Sequence, residues 1–157
     1  MVTIPSPNVV IFDLDGTLAD VEHRRHWLDP AQHAGMAQDE RWQRFFADCV
    51  HDAPRERVVA AAKALFEAGL QVVILSARSD EVKRETLAWL HKHSIPFDEL
   101  RMRKAGDRTP DATLKSQWLA DFDPADILCV FDDRPVVIRM WRAAGLLVAD
   151  CGDGKEF

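Results

Sequence analysis

The sequence predicts an α/β domain with a doubly wound, Rossmann-like fold, in which helices flank a central parallel sheet. The first observation is a set of three short apolar runs, which cover Val9–Phe12, Val72–Leu75 and Ile127–Phe131. Each run is continuous rather than alternating, which is typical of strands buried on both faces of a sheet. Helical patterns lie between the runs, and alternating strands and helices are connected by right-handed crossovers. The 157 residues suit one domain, spanning 1–157.

Weaker patterns complete the predicted order of elements. Leu146–Val148 predicts a further strand, and another is expected near Phe97–Met102. Four helices are predicted between the strands, beginning near Pro54, Ser79, Pro110 and Pro135. Proline suits the first turn of a helix, and acidic side chains stabilise its N-terminus. Gly69 is expected to end the first of these helices. We expect the five tryptophans to pack in the core or on helix faces, and none of them to stack on a ligand.

The segment at about 20–53 interrupts this alternation. It is rich in His, Arg, Gln and Asp and contains Trp27 and Trp42. We predict a small helical cap insertion after the first strand. About 30 residues are too few for a full cap domain, so we expect the crevice beneath it to stay open.

Composition excludes several classes of protein. No apolar run approaches the ~20 residues that cross a membrane, and residues 1–8 show no signal-peptide pattern. The three cysteines form no CxxC pair, so a reducing, cytoplasmic setting is expected. With 20 basic and 26 acidic residues the net charge is −6, which argues against wrapping of duplex nucleic acid. Capture of one phosphate or one strand end by a few arginines stays open.

Polar residues follow each of the three main apolar runs. Asp13, Ser76 and the pair Asp132 and Asp133 stand at these points. The carboxyl ends of parallel strands meet at one edge of the sheet, where open α/β sheets bind ligands. A single aspartate at a strand end is more often a helix cap, but several carboxylates in one crevice repel each other. A divalent cation offsets that repulsion, and Mg²⁺ is the simplest candidate.

Asp13-Leu14-Asp15-Gly16-Thr17 after a buried strand resembles the first motif, DxDGT, of the haloacid dehalogenase superfamily. Ser76, Lys115 and Asp132-Asp133 follow in the order of that superfamily's other motifs. Within it, the chain from about Asn8 to Phe157 is similar to the 3′-phosphatase domain of bacteriophage polynucleotide kinase. Segments that carry this similarity are Ser76-Ala77-Arg78, Gly106-Asp107, Asp132-Asp133-Arg134, 137–142 and Gly152-Asp153-Gly154.

The resemblance implies catalytic roles for four residues. Asp13 is expected to be the nucleophile that forms an aspartyl-phosphate. Asp15 is expected to protonate the leaving group and then to activate water. Ser76 and Lys115 are expected to donate to the phosphoryl oxygens.

The resemblance also implies a metal site and a tight turn. Asp13, Asp132 and Asp133, together with the backbone carbonyl of Asp15, are expected to hold Mg²⁺. Gly16 is expected to permit the sharp turn that follows the first strand.

Three further residues occupy positions that matter in the same family. Arg24 and Arg78 are expected to bind the substrate's phosphate or nucleotide, because the guanidinium fork suits a phosphate. A surface salt bridge is the alternative for each arginine. Asp111 lies one helical turn before Lys115 and is expected to orient that lysine. The chain departs from the family at Ala77, where the family has glycine, and in its longer insertion.

The activity so predicted is Mg²⁺-dependent removal of a 3′-phosphate from polynucleotide ends or nucleotides. A nucleotidase or small-metabolite phosphatase with the same chemistry is the alternative. An alternative of another class is a non-catalytic module that binds phosphorylated ends beside a separate kinase. The 157 residues contain no GxxxxGK[ST] motif, so we expect any kinase or ligase partner to be encoded separately.

Overall fold

The computed structural model describes residues 6–156. The strands are β1 (Val9–Phe12), β2 (Ala19–Asp20), β3 (Ala53–Pro54), β4 (Gln71–Ser79), β5 (Glu99–Arg103), β6 (Ile127–Asp132) and β7 (Val148–Asp150). The helices are α1 (Gln38–Ala47), α2 (Glu56–Glu67), α3 (Lys83–Lys92), α4 (Asp111–Leu119) and α5 (Pro135–Ala143). The absence of a signal peptide was predicted from residues 1–8, of which 1–5 lie outside the described residues.

The central sheet has five strands in the order β5-β4-β1-β6-β7. Every neighbouring pair in it is parallel, so the predicted parallel α/β sheet is confirmed. β1 lies in the middle, between β4 and β6. This order brings the carboxyl ends of the three most apolar strands side by side.

Hydrophobic cores cover both faces of the sheet, which explains why the apolar runs are continuous. Val10 and Phe12 point into a core that α2 and α3 complete. Ile11 and Val73 point into the opposite core, which α4 and α5 complete. Successive side chains of a strand alternate between faces, so both faces need apolar residues.

Two strands differ from the sequence-based expectation in their extent. β4 does not end at Ser76 but continues to Ser79, which pairs with Arg103 of β5 after a register shift. An irregularity of this kind interrupts the pairing locally and changes the direction in which side chains point. β7 begins at Val148 rather than at Leu146; Leu146 packs into the core, and Leu147 is 69% exposed.

The insertion leaves and re-enters the core through a short antiparallel pair, β2 with β3. Between these strands lie a 3₁₀ helix at Glu22–Leu28, then α1, then a 3₁₀ turn at Asp48–His51. Residues of α1 line the same cleft as Asp13 and Asp132, so the helix lies over the carboxyl edge of the sheet. Among residues 6–156, no helix is both long and apolar enough to cross a membrane.

Candidate active site

Asp13, Asp132 and Asp133 come together at the carboxyl ends of β1 and β6. The backbone N–H of Asp13 donates to the carbonyl of Phe131 at 2.9 Å, which extends the pairing of the two strands. All three aspartates are buried, and oxygens of their carboxylates lie within 4.8 Å of one another. The sequence-based expectation that these strand ends converge agrees with this geometry.

Lys115 reaches this cluster from α4 on the opposite side of the cleft floor. Its Nζ donates to Oδ1 of Asp13 at 2.7 Å and to Oδ2 of Asp132 at 2.8 Å. Trp141 also donates to Oδ2 of Asp132, at 3.1 Å. Oδ1 of Asp132 accepts the backbone N–H of Asp133 at 3.0 Å. Asp132 is therefore fixed from several sides, whereas Asp13 keeps one oxygen with weaker contacts.

The cluster carries more negative than positive charge. Burial raises the pKa of Asp13 well above its usual range, and the neighbouring carboxylates raise it further, against the lowering effect of Lys115. Burial and the charge of Asp132 raise the pKa of Asp133 to about 6. Burial lowers the pKa of Lys115, but Asp13 and Asp132 outweigh it and raise that pKa above its usual range.

This donor set fits a divalent cation. When all groups are ionised, three carboxylates and one ammonium leave a net charge of −2 in a buried space. Carboxylate oxygens are the hard ligands that Mg²⁺ prefers. The carboxylate of Asp15 is not part of this cluster, because it lies against two arginines.

The turn after β1 packs directly against Asp133. Gly16 has φ +84°, and a Cβ at this position would lie 2.1 Å from Oδ2 of Asp133. A Cβ on Gly152 would lie 2.1 Å from the backbone oxygen of the same aspartate. Thr17 donates to Oδ1 of Asp133 at 3.2 Å. Glycine at 16 therefore serves the backbone conformation, as expected, and also leaves room for a carboxylate.

Ser76 is fully buried in β4. Its hydroxyl oxygen accepts the backbone N–H of Arg78 at 3.2 Å. The residues that follow it, Ala77, Arg78 and Ser79, line the cleft.

Asp15 lies against the two arginines that the sequence analysis assigned to the substrate. Arg24 donates to Oδ1 of Asp15 at 2.8 Å, and Arg78 donates to the same oxygen through Nε at 3.2 Å and through Nη2. Both arginine side chains are completely buried. From the sequence, these guanidinium groups were expected to contact a substrate phosphate. In the structure they bind carboxylates instead.

The second carboxylate that binds these arginines is Asp52, which the sequence analysis missed. Its Oδ1 accepts a hydrogen bond from Nε of Arg24 at 2.7 Å. Its Oδ2 accepts hydrogen bonds from Nη2 of Arg24 at 2.7 Å and from Nη2 of Arg78 at 3.2 Å. His23 also contacts Oδ1, at 2.8 Å. Asp52 stands 28 residues after Arg24 in a segment without a recognisable motif. The sequence gives one indication of its role, which is the position of a carboxylate directly before β3, where the insertion rejoins the core.

The arginines control the charge of Asp15. Burial raises the pKa of this carboxyl, but the positive charges of Arg78 and Arg24 outweigh burial and bring the pKa to about 2. Burial lowers the pKa of Arg24, and the charges and hydrogen bonds of Asp15 and Asp52 more than reverse that effect. Asp15 is therefore ionised at neutral pH before substrate binds.

Asp111 does not contact Lys115 in the way expected from sequence. Its Oδ1 accepts Nη2 of Arg103 at 2.5 Å, and its Oδ2 accepts Nη1 of Arg134. The spacing of one helical turn was correct, but the carboxylate of Asp111 binds the two arginines, while the ammonium of Lys115 binds Asp13 and Asp132. Asp111 thus ties the start of α4 to β5 and to the segment after β6.

A cleft of about 470 Å³ opens above these residues. Its floor includes Asp13, Asp15 and Lys115. One wall is α1, and the opposite wall is the segment 103–111. Arg108 spans the mouth and donates to both carboxylate oxygens of Asp39 on α1, at 2.7 and 2.8 Å.

Comparison with known proteins places this geometry in a family. A sequence model described as the polynucleotide kinase PNKP phosphatase domain matches residues 7–156. A protein of Autographa californica nuclear polyhedrosis virus, named for bifunctional polynucleotide kinase and RNA ligase activity, is 30% identical over 145 residues. That match covers 87% of this chain and 18% of the viral protein. The chain therefore spans about a fifth of that relative's length.

Solved structures agree with the match. A chain of the Pnkp1/Rnl/Hen1 complex superposes with a TM-score of 0.77 at 26% identity, over 96% of this chain and 48% of that chain. A haloacid dehalogenase-like hydrolase of Streptococcus pneumoniae superposes with a TM-score of 0.66 at 15% identity, over 95% and 87% of the two chains, and shows the shared fold. The family match over nearly the whole chain, together with this fold, shows that the chain belongs to the haloacid dehalogenase-type phosphatase domains of the polynucleotide kinase family.

Proposed function

We propose that the chain is a Mg²⁺-dependent phosphomonoesterase that removes 3′-phosphates from polynucleotide ends through an aspartyl-phosphate. The observation that carries the proposal is the placement of Asp13. Its carboxylate lies beside Lys115 and two further carboxylates, at the floor of an open cleft and two residues before a fixed Asp15. This arrangement suits phosphoryl transfer, which needs positioning and charge stabilisation more than other chemistry.

Oδ2 of Asp13 is the oxygen available for attack on phosphorus. Oδ1 accepts the hydrogen bond from Lys115, whereas Oδ2 has a long contact of 3.4 Å with Thr17. Attack forms the bond between Oδ2 and phosphorus and breaks the bond between phosphorus and the ester oxygen. Lys115 and Ser76 donate to the phosphoryl oxygens as their charge redistributes. Bound Mg²⁺, held by Asp13, Asp132 and Asp133, would offset the charge of the phosphate.

Asp15 serves both proton transfers. With a pKa of about 2 it is ionised in the free enzyme, which prepares it to take a proton from water. A phosphate dianion bound beside it raises that pKa, because a like charge favours the protonated form. Asp15 takes up a proton from solvent as the phosphate binds and then donates this proton to the leaving 3′-oxygen. Water attacks the aspartyl-phosphate in the second step, and its proton returns to Asp15.

The open cleft supports a polynucleotide end as substrate. A cleft bounded by one short helix and one loop admits a chain that continues into solvent, which a closed cap would exclude. The viral relative is named for a polynucleotide kinase and an RNA ligase, and the solved relative comes from a complex described as an RNA repair complex. We therefore propose that this phosphatase works together with a kinase or ligase activity.

A nucleotidase or small-metabolite phosphatase is the second candidate. Two features favour it: the net charge of −6 and the ion pairs that occupy basic side chains at the cleft, such as Arg108 with Asp39. Both features weaken long-range attraction of a polyanion.

Phosphate release from matched substrates tests the proposal. We would assay, with Mg²⁺, a 3′-phosphorylated oligonucleotide, its 5′-phosphorylated twin, the 3′- and 5′-mononucleotides and p-nitrophenyl phosphate. The expected result is the highest kcat/KM for the 3′-phosphorylated oligonucleotide. Asp13→Asn should release no phosphate from any substrate while its circular dichroism and melting stay those of a folded protein.

The other outcomes separate the candidates. Turnover of mononucleotides alone would establish a nucleotidase and leave the catalytic assignments in place. Substantial turnover by Asp13→Asn would refute the aspartyl-phosphate mechanism. No release from any substrate by the folded wild type would favour an end-binding module without turnover.

A further inference from the structure

An aromatic cluster on α1 faces the cleft beside Asp15. Trp42 and Phe46 are partly exposed and line the cleft, with ring centroids 5.5 Å apart and planes inclined by 30°. Phe45 lies beneath them and is buried, with ring centroids 5.6 Å from each of the other two rings. The cluster has a supported inner ring and two outer rings that present surface to the cleft.

The buried arginine network fixes the position of this cluster relative to the reacting groups. The guanidinium carbon of Arg24 lies 4.1 Å from the centroid of the Phe45 ring, and its Nη1 donates to the carbonyl of Phe45 at 3.0 Å. The same side chain donates to Asp15 at 2.8 Å. One arginine thus connects the aromatic cluster with the carboxylate that serves the proton transfers.

Trp42 differs from three of the other four tryptophans of the chain in its hydrogen bonding. The indole N–H groups of Trp27, Trp89 and Trp141 donate to protein oxygens at 2.6, 2.8 and 3.1 Å. Within residues 6–156, no such bond is made by the indole of Trp42 or by that of Trp118, but Trp118 packs against the core and does not line the cleft. A partly exposed indole without a protein acceptor, on the wall of a cleft, is more suited to a ligand than to packing.

The basic side chains of the opposite wall are already paired with carboxylates. Arg103 binds Asp111, Lys104 binds Asp80 at 3.2 Å, and Arg108 binds Asp39. A phosphodiester backbone would have to displace these partners. The ring surface of α1 needs no such exchange, so stacking is the more favourable contribution of this cleft to binding.

We propose that Trp42 and Phe46 form a stacking platform for the nucleobases at the 3′ end of a single-stranded substrate. The inference rests on the proposed function and specifies how that site recognises its substrate. Every nucleobase has a π-face, so such a platform accepts any sequence. Such a platform also binds the 3′ end of the substrate through its bases when contacts to phosphates are few, which suits an acidic protein.

An abasic substrate tests the platform with the unmodified protein. We would compare kcat/KM for a 3′-phosphorylated oligonucleotide with that for the same oligonucleotide ending in one abasic nucleotide that carries the 3′-phosphate. Stacking on aromatic side chains contributes ~1–3 kcal/mol per base, so the wild type should lose roughly 5- to 150-fold on the abasic substrate. The loss should fall mainly in KM, because the reacting phosphate is unchanged.

Trp42→Leu should lose a similar factor on the normal oligonucleotide and little more on the abasic one. Trp42→Phe should recover most of the lost kcat/KM, because it restores a ring. Phe66→Leu is the matched control: Phe66 is an aromatic residue of α2, 39% exposed and outside the cleft lining. It should leave the ratio between the two substrates at its wild-type value.

The outcomes for this inference and for the proposed function are distinct. Equal kcat/KM of the wild type for normal and abasic oligonucleotides would overturn the platform while leaving the 3′-phosphatase intact. An equal loss by Trp42→Leu on both substrates would also overturn it, because the residue would then act on the fold rather than on the base. A wild type that releases no phosphate from either oligonucleotide would refute the proposed function itself.

Discussion

At the scale of single residues, the site depends on close contacts that tolerate no added atoms. Gly16 provides the clearest case, because the carboxylate of Asp133 occupies the space where a Cβ would be. The residue combines a positive φ with this close approach. The effect of the positive φ can be measured separately from that of the close contact. The chain contains another glycine with the same backbone conformation but with no atoms near its Cβ position.

Gly16→Ala should abolish Mg²⁺-dependent phosphate release, because the new methyl group displaces Asp133. Gly35→Ala is the control: its φ is +86°, and nothing lies within 4 Å of its Cβ position. That control should lose ~1–2 kcal/mol of unfolding free energy from backbone strain alone and keep its activity. Urea unfolding and phosphate release would be measured for both. Full activity of Gly16→Ala would contradict the proposed role of Asp133 at the site.

At the scale of the elements, Asp52 joins the insertion to the sheet. It binds Arg24 of the insertion and Arg78 of β4, and the backbone carbonyl of Asp52 accepts the indole N–H of Trp89 on α3 at 2.8 Å. Through the two arginines it holds the groups that position Asp15. Buried ion networks of this kind are costly to break, since removal of one partner leaves uncompensated charge.

Asp52→Asn should therefore lower both stability and turnover. We expect a loss of ~3–5 kcal/mol in unfolding free energy, because two buried guanidinium groups lose a shared carboxylate. kcat should fall more than KM rises, since Asp15 and not the bound phosphate loses its support. Glu40→Gln, which removes an exposed partner of Arg44, should change stability by less than ~0.5 kcal/mol. A variant as stable and as active as the wild type would show that the network has no positioning role.

The elements also show why sequence analysis succeeded in part. Asp13 and Asp132 were predicted to meet because each follows a continuous apolar run, and parallel strands end at one edge. Asp52 was missed because its position depends on how the insertion folds, and no periodicity specifies that path. The partners of Asp111 were missed for a related reason: helical spacing predicts neighbours on the same helix but not the arginines of other elements. β4 was predicted too short because its last residues are polar.

At the scale of the whole molecule, the buried negative charge of the aspartate cluster lowers the free energy of unfolding. Folding raises the pKa of Asp133 to about 6 and raises that of Asp13 in the same direction. A carboxyl whose pKa is higher in the folded state stabilises the fold when protonated, and this contribution is lost as pH rises through the folded value. The metal-free protein should therefore become more stable as pH falls from about 7.5 to about 5.5.

Magnesium should reverse this trend, because it binds the ionised carboxylates and competes with protons for them. Melting temperatures would be measured with EDTA and with excess Mg²⁺ at both pH values. The increase caused by Mg²⁺ should be larger at the higher pH, and saturation at about 100 times Kd would add ~2.7 kcal/mol of stability. Asp133→Asn, which mimics the protonated group, should melt higher than the wild type in EDTA at the higher pH and gain less from Mg²⁺. An equal effect of Mg²⁺ at both pH values, in the wild type and the variant alike, would place the ion away from this cluster.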